Sequence, residues 1–215
     1  MFNDRIDAGL LLAEELKNYS DNKNAVIITI PRGGLPIGNT IAKQLHLPLE
    51  LVLSKKIGHP INKEFAIGAV TLSDSILSDD ANLVSKEYLN EETYKIRTLL
   101  KERHNRYYGT KKPLNLKNKI VILVDDGVAT GHTLISSIKL IEKQKPSHIV
   151  VALPVGSPSA IEKIKKLPYV NETICLLKPS NFHAVGQFYN NFNQVSDDEV
   201  VRLLKEANNN LQVNI

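Results

Sequence analysis

The stretch VILVDDGVATGHT, residues 121–133, constrains the fold more than any other part of this chain. Four apolar residues, Val121, Ile122, Leu123 and Val124, run straight into two adjacent carboxylates, Asp125 and Asp126. The apolar run is too short to be a helix of its own and reads as a strand buried on both faces. Gly127, Ala129, Thr130, Gly131 and Thr133 then make a tight, hydroxyl-rich turn, and TLISSIKLIEKQ after it reads as an amphipathic helix. A strand that ends in acids beside a helix N-terminus is where open α/β sheets hold ligands. Free N–H groups there can surround a phosphate, and the helix dipole favours its charge. Two acids beside an anion site make sense together when the ligand carries both a phosphate and hydroxyls. A ribose 5-phosphate fits: the carboxylates accept from the diol and the turn holds the phosphate. The competing reading is a strand that closes in a solvated Asp-Asp-Gly turn.

The rest of the chain supplies an α/β frame. AVIITI at 25–30 reads as a buried strand ended by Pro31 and the Gly33-Gly34 pair, and Pro36 fits the first turn of a helix reaching about Leu45. A second strand is expected at 49–53, an exposed polar loop at 54–64, and a returning strand at 65–71. A polar helix is expected over 85–108, a strand at 148–153, a helix at 158–166 and a strand at 172–177. Ser196 and Glu199 match a capping box that opens a final helix, and the tail from 207 reads as frayed. Alternating strands and helices predict a mainly parallel, doubly wound sheet. With 215 residues and no composition shift, one domain over 1–215 is expected, capped by the irregular segment 178–195.

Composition narrows the function classes only a little. A net charge of +4 suits anionic substrates or nucleic acid equally. No apolar run approaches the roughly 20 residues that span a bilayer, so no membrane association is expected. The N-terminal LLLA is interrupted by Glu14 and Glu15 and reads as an amphipathic first helix, not a signal peptide. The single Cys175 cannot form an internal disulfide, which suits a reducing cytoplasm. The basic stretch 95–112 is balanced by Glu91, Glu92 and Glu102 and reads as a solvated helix face ahead of a nucleic-acid patch. The histidines show no metal-ligand spacing, and no Walker A, Rossmann or nucleophile-elbow pattern is present.

Residues 121–133 resemble the 5-phosphoribosyl-1-pyrophosphate (PRPP) signature of type I phosphoribosyltransferases at every position except Gly127, where an apolar residue is usual. Two further motifs stand in the family's order. PRGG at 31–34 matches the pyrophosphate loop, and SKKIGHPINKEFAIGAV at 54–70 matches the mobile catalytic loop with its leading basic pair. Taken alone, the first could be a Gly-rich turn beside a surface Arg, and the second an exposed hairpin with solvated lysines. The whole chain resembles a group of uncharacterised phosphoribosyltransferases that carry both motifs.

The resemblance implies a type I phosphoribosyltransferase-like α/β fold with a small hood drawn largely from 178–195. It implies transfer of the phosphoribosyl group from PRPP to a nitrogen nucleophile, expected to be a nucleobase, with release of pyrophosphate and dependence on Mg²⁺. By this resemblance Asp125 and Asp126 hold the ribose hydroxyls directly or through Mg²⁺, and Ala129, Thr130, Gly131, His132 and Thr133 hold the 5-phosphate. Arg32, Gly33, Gly34, Lys55 and Lys56 meet pyrophosphate, and Glu64 is the loop acid placed to accept a proton. The cluster of Phe182, His183, Phe188, Tyr189 and Phe192, with Phe182, Phe188 and Tyr189 as the candidate contacts, offers a face for the acceptor or, alternatively, packs the cap onto the sheet. Ala129 stands where hypoxanthine-guanine enzymes carry an additional acid, which argues against that subclass. A homodimer is usual in the family. A regulator that senses PRPP and binds nucleic acid is the alternative; no helix-turn-helix segment is evident to support it.

Overall fold

The structure is a computed structural model that describes residues 1–63, 65–109, 111 and 114–212, of which 208–212 are described for their backbone alone. In chain order the helices and strands are α1 (Arg5–Glu15), β1 (Ala25–Thr29), α2 (Gly34–Leu45), β2 (Leu49–Leu51), β3 (Lys55–Gly58), β4 (Ala66–Val70), β5 (Ser75–Leu77), α3 (Lys86–Tyr108), β6 (Ile120–Val124), α4 (His132–Glu142), β7 (His148–Val155), α5 (Pro158–Lys165), β8 (Glu172–Leu177) and α6 (Asp197–Gln212). Five of the strands form one sheet in the order β2-β1-β6-β7-β8, with every neighbouring pair parallel. The apolar runs are continuous because both sheet faces are covered. Ile122 and Val124 of β6 pack on the side of Leu12 of α1 and Ile37 of α2. Val121 and Leu123 face the other way, toward Ile138 of α4 and Ile161 of α5.

The strand order also marks where a sheet of this kind is expected to hold a ligand. From β1 the chain crosses to β2 on one side, and it later returns to β6 on the other. The C-terminal ends of β1 and β6 therefore flank the point where the winding reverses, the place where such sheets leave a crevice. The PRGG turn leaves the first of these ends and the Asp125-Asp126 pair leaves the second.

The structure departs from the sequence expectations at several elements. The segment expected as an exposed loop at 54–64 contains a strand: Lys55–Gly58 pairs antiparallel with Ala66–Val70. β5 (Ser75–Leu77), not expected, completes a separate sheet in the order β3-β4-β5. Ile57 and Ile67 are fully buried between this small sheet and its surroundings, and a polar sequence with two inward apolar residues carries too short an alternation to read as a strand. β2 stops at Leu51, short of the expected Leu53. The final helix continues to Gln212, so most of the tail expected to fray is helical backbone. Ser196 does cap it, its Oγ accepting from the Glu199 N–H at 3.1 Å. Glu64 lies outside the described residues.

The basic stretch on α3 is partly engaged within the fold. Lys95 lies 3.3 Å from Glu92, and Arg106 reaches Asp197 and Asp198 at 3.0 Å each. Among the described residues no helix is long and apolar enough to cross a membrane.

Candidate active site

The start of α4 leaves its backbone donors open. Gly131 is the N-cap, in the left-handed conformation at φ 84°, and no side chain caps the helix. Val128 N–H is satisfied by Val155 O at 3.0 Å. From Ala129 through Thr133, no N–H finds a partner among the described residues. Ala129, Thr130, His132 and Thr133 are exposed, and Gly131 is buried. Ser157 holds the loop in place: its N–H donates to Val128 O at 2.9 Å and its hydroxyl to Ala129 O. Successive free N–H groups at a helix start form a concavity suited to phosphate.

The two acids sit beside this loop in unlike surroundings. Oδ1 of Asp125 accepts the Asp126 N–H at 2.9 Å. Oδ2 of Asp126 accepts from Nε and Nη2 of Arg5, at 3.1 and 2.8 Å. Among the described residues Asp125 Oδ2 and Asp126 Oδ1 accept nothing, so each carboxyl keeps one free oxygen. Burial, and then the charge of Asp126, push the Asp125 carboxyl well above the usual range. Burial also raises Asp126, and the Arg5 guanidinium pulls it back part of the way. Arg5 went unnoticed in the sequence. The signal was its place as the first residue of α1, where a cation opposes the helix dipole unless an acid compensates it.

The PRGG turn packs directly on these acids. A Cβ on Gly33 would lie 2.0 Å from Asp126 Oδ2. A Cβ on Gly34 would lie 2.8 Å from the Val124 carbonyl and 3.0 Å from Asp125 Cα. Gly33 has ordinary right-handed helical angles, so it is needed for space and not for conformation. The Pro31–Arg32 peptide is cis. Arg32 is half-exposed, its Nη1 3.9 Å from Asp197 Oδ1.

The cap closes over the acid end of β6. Tyr189 is buried, and its hydroxyl donates to the Asp126 carbonyl at 2.6 Å. Its ring lies 5.3 Å from Phe2 and 4.9 Å from Phe192. Phe182 and Phe188 are half-buried and face each other at 5.4 Å. Of the three aromatic candidates, Tyr189 therefore packs the cap, while Phe182 and Phe188 keep partly open faces. Gly127, the one unusual position in the signature, has its reason here. A Cβ would stand 2.6 Å from Val185 of the cap and 2.9 Å from Val155. Gly127→Ala is expected to lower stability by about 1–3 kcal/mol by overpacking and to raise amide exchange in the cap. An unchanged melting temperature would contradict this.

Lys55 and Lys56 lie on β3, in the small sheet. They wall a cavity of about 510 Å³ with Gly58, Lys63, Glu92 and Lys95, between the small sheet and α3. Its walls include neither acid, nor the PRGG turn, nor the 129–133 loop. His132 faces the other side of the same small sheet, across a space shared with Ala66, Gly68 and Leu77. The structure thus brings together the signature, the PRGG turn and the cap, and leaves the basic pair on a neighbouring hairpin.

Residues 5–193 match the family described as the phosphoribosyl transferase domain. This chain belongs to that family. A Mycobacterium tuberculosis protein whose name places it among phosphoribosyl transferases is 34% identical over 219 residues, covering 96% of this chain and 47% of that protein. The chain therefore spans about half the length of these curated relatives. A uracil phosphoribosyltransferase of Mycoplasma genitalium is 40% identical over 65 residues, 30% of this chain and 32% of that one. Among solved structures, the protein TT1426 from Thermus thermophilus superposes with a TM-score of 0.85 at 37% identity, over 95% of this chain and 98% of that one. The phosphoribosyl transferase family match begins at Arg5, so the residue that holds Asp126 lies inside it.

Proposed function

We propose that the protein transfers the 5-phosphoribosyl group of PRPP to a nitrogen nucleophile, a nucleobase, and releases pyrophosphate. The observation that carries this reading is the run of open N–H groups at 129–133 beside two carboxylates that each keep a free oxygen. One part suits a phosphate and the other a diol, so the pair suits a phosphorylated sugar more than either alone.

In this reading Asp125 Oδ2 and Asp126 Oδ1 accept from the ribose hydroxyls, and the α4 N-terminus holds the 5-phosphate. Breaking the C1–O bond builds negative charge on the departing pyrophosphate. Stabilising that charge is the main catalytic task. In the same reading Arg32, on the turn whose Gly33 and Gly34 pack against the two acids, receives the leaving group. Lys56 and Lys55 lie on the hairpin, so their part depends on that hairpin closing over the cleft, which would also exclude water as a competing nucleophile. The donor set fits Mg²⁺, which takes one or two carboxylates beside substrate oxygens and water. When bound, the cation would neutralise charge on the pyrophosphate. Phe182 and Phe188 offer their open faces to a planar acceptor, and the uracil phosphoribosyltransferase among the relatives supports a base in that role.

The test is incubation with PRPP, Mg²⁺ and a panel of bases, with chromatographic detection of pyrophosphate and nucleotide. PRPP at about 100 times its Kd should stabilise the fold by roughly 2.7 kcal/mol in thermal unfolding. Lys56→Ala is expected to lower turnover about tenfold or more with little change in melting temperature, since it acts on the leaving group. Absence of both a thermal shift and product across the panel would overturn the proposal.

A further inference from the structure

Arg5 makes more directed contacts at this site than any role in capping α1 would need. Beyond its two bonds to Asp126 Oδ2, Nη1 donates to the Asn193 carbonyl at 2.8 Å. The guanidinium carbon lies 3.8 Å from the centroid of the Phe192 ring. Only 11% of the side chain is exposed. One planar group thus binds a signature acid, a cap carbonyl and a cap ring, which lysine could not reproduce from a single nitrogen. The residues before it reinforce the arrangement. Phe2 N–H donates to Phe188 O at 2.8 Å, Asn190 N–H returns to Phe2 O at 2.8 Å, and Asn191 N–H reaches Asn3 O at 2.9 Å. The N-terminal strip and the cap are zipped together, and Arg5 joins that zip to Asp126.

We infer that Arg5 is a positioning residue that aims Asp126 at the sugar and couples that carboxylate to the cap. This deepens the proposed function and rests on the ribose-binding role given there to Asp126. With Oδ2 held by Arg5, Asp126 offers only Oδ1, and from a fixed direction. Gly33 packs against the same Oδ2, so the turn on one side and the guanidinium on the other define a single orientation. The ring and carbonyl on the far side of Arg5 belong to the cap. Sugar binding and cap placement therefore share one side chain.

The test uses isothermal titration with three probes in the presence of Mg²⁺: PRPP, ribose 5-phosphate and inorganic pyrophosphate. The proteins are the wild type, Arg5→Ala and Arg5→Lys, the last keeping the charge in case the alanine variant does not fold. Arg5→Ala is expected to weaken PRPP and ribose 5-phosphate about tenfold or more, the scale of losing a charged hydrogen-bonding partner, and to leave pyrophosphate unchanged. Arg5→Lys should recover only part of the loss. Amide exchange over 182–193 should rise in both variants. A merely structural role would weaken all three probes alike, and that result overturns the inference, as does wild-type PRPP affinity in a folded variant. Unchanged exchange in the cap overturns the coupling. Wild-type protein that binds neither PRPP nor ribose 5-phosphate overturns the proposed function itself, which separates the two failures.

Discussion

Asp125→Asn combined with Asp126→Asn is expected to lower PRPP-dependent turnover by at least about 100-fold, while the two single variants shift stability in opposite directions. Asp125 is crowded by its surroundings and by the neighbouring charge, so its ionised form is disfavoured in the fold. Its native pKa therefore lies above the unfolded one. The resulting penalty is absent below the ordinary carboxylate range and grows as pH rises toward the raised native value. An amide keeps an oxygen for the Asp126 N–H and carries no charge. Asp125→Asn should thus melt higher than the wild type at neutral pH, with the advantage vanishing as pH falls below the ordinary carboxylate range. Asp126→Asn removes the anion from Arg5, whose side chain is only 11% exposed. Losing the raised Asp126 carboxyl gives some relief, but leaving the largely buried Arg5 without its anion costs roughly 3 kcal/mol, and the larger effect makes this variant melt lower. Thermal unfolding at several pH values, with PRPP titration, checks both. Shifts of the same sign would show that the acids are not in the unlike environments described above, and a double variant with near-wild-type turnover would remove them from the chemistry. Such a stability cost at functional carboxylates is common in active sites.

Gly33→Ala is expected to be nearly as damaging to PRPP binding, for a reason the backbone angles do not reveal. The residue sits at φ −63°, ψ −36°, where alanine is comfortable. The added methyl would lie 2.0 Å from Asp126 Oδ2 and 2.6 Å from its Cγ. Relief requires the carboxylate to turn, and Arg5 holds it by two bonds. Either the PRGG turn lifts from the acids or Asp126 leaves its partner. Both outcomes disturb the diol site, and misplacement on the scale of 1 Å is worth about 100-fold in rate. The effect should appear as lost PRPP affinity at a modest cost in melting temperature. Wild-type PRPP affinity in Gly33→Ala would show that the turn and the acids do not act as one unit. The same variant at Gly34 meets backbone atoms that cannot rotate away, so there the expected loss is mainly in stability.

Some of the site was legible because its physics is local. A strand, two acids, a small-residue turn and a helix are consecutive in residues 121–133, and periodicity with helix electrostatics places them without knowledge of the rest. The central strands β1, β6 and β7 were readable for the same reason, since strands covered on both faces are apolar nearly throughout. β4 was expected, at 65–71, but its partner β3 was not, because Lys55–Gly58 is a short strand whose only buried residues are Ile57 and a glycine. The unusual Gly127 was visible as an oddity, but its cause is Val185, which meets it across a long separation in the chain.

What the sequence determined alone is the chemistry on offer at the end of β6: an anion-binding helix start next to two carboxylates. Only the tertiary structure decided how that chemistry is arranged. It set Gly33 and Gly34 against the acids, brought Arg5 from the N-terminus to Asp126, and placed Tyr189 on the Asp126 carbonyl. These contacts join residues far apart in the chain. They arise because the winding reverses between β1 and β6, which sets the ends of those two strands side by side, and because residues 2–3 are zipped to the 188–191 segment of the cap.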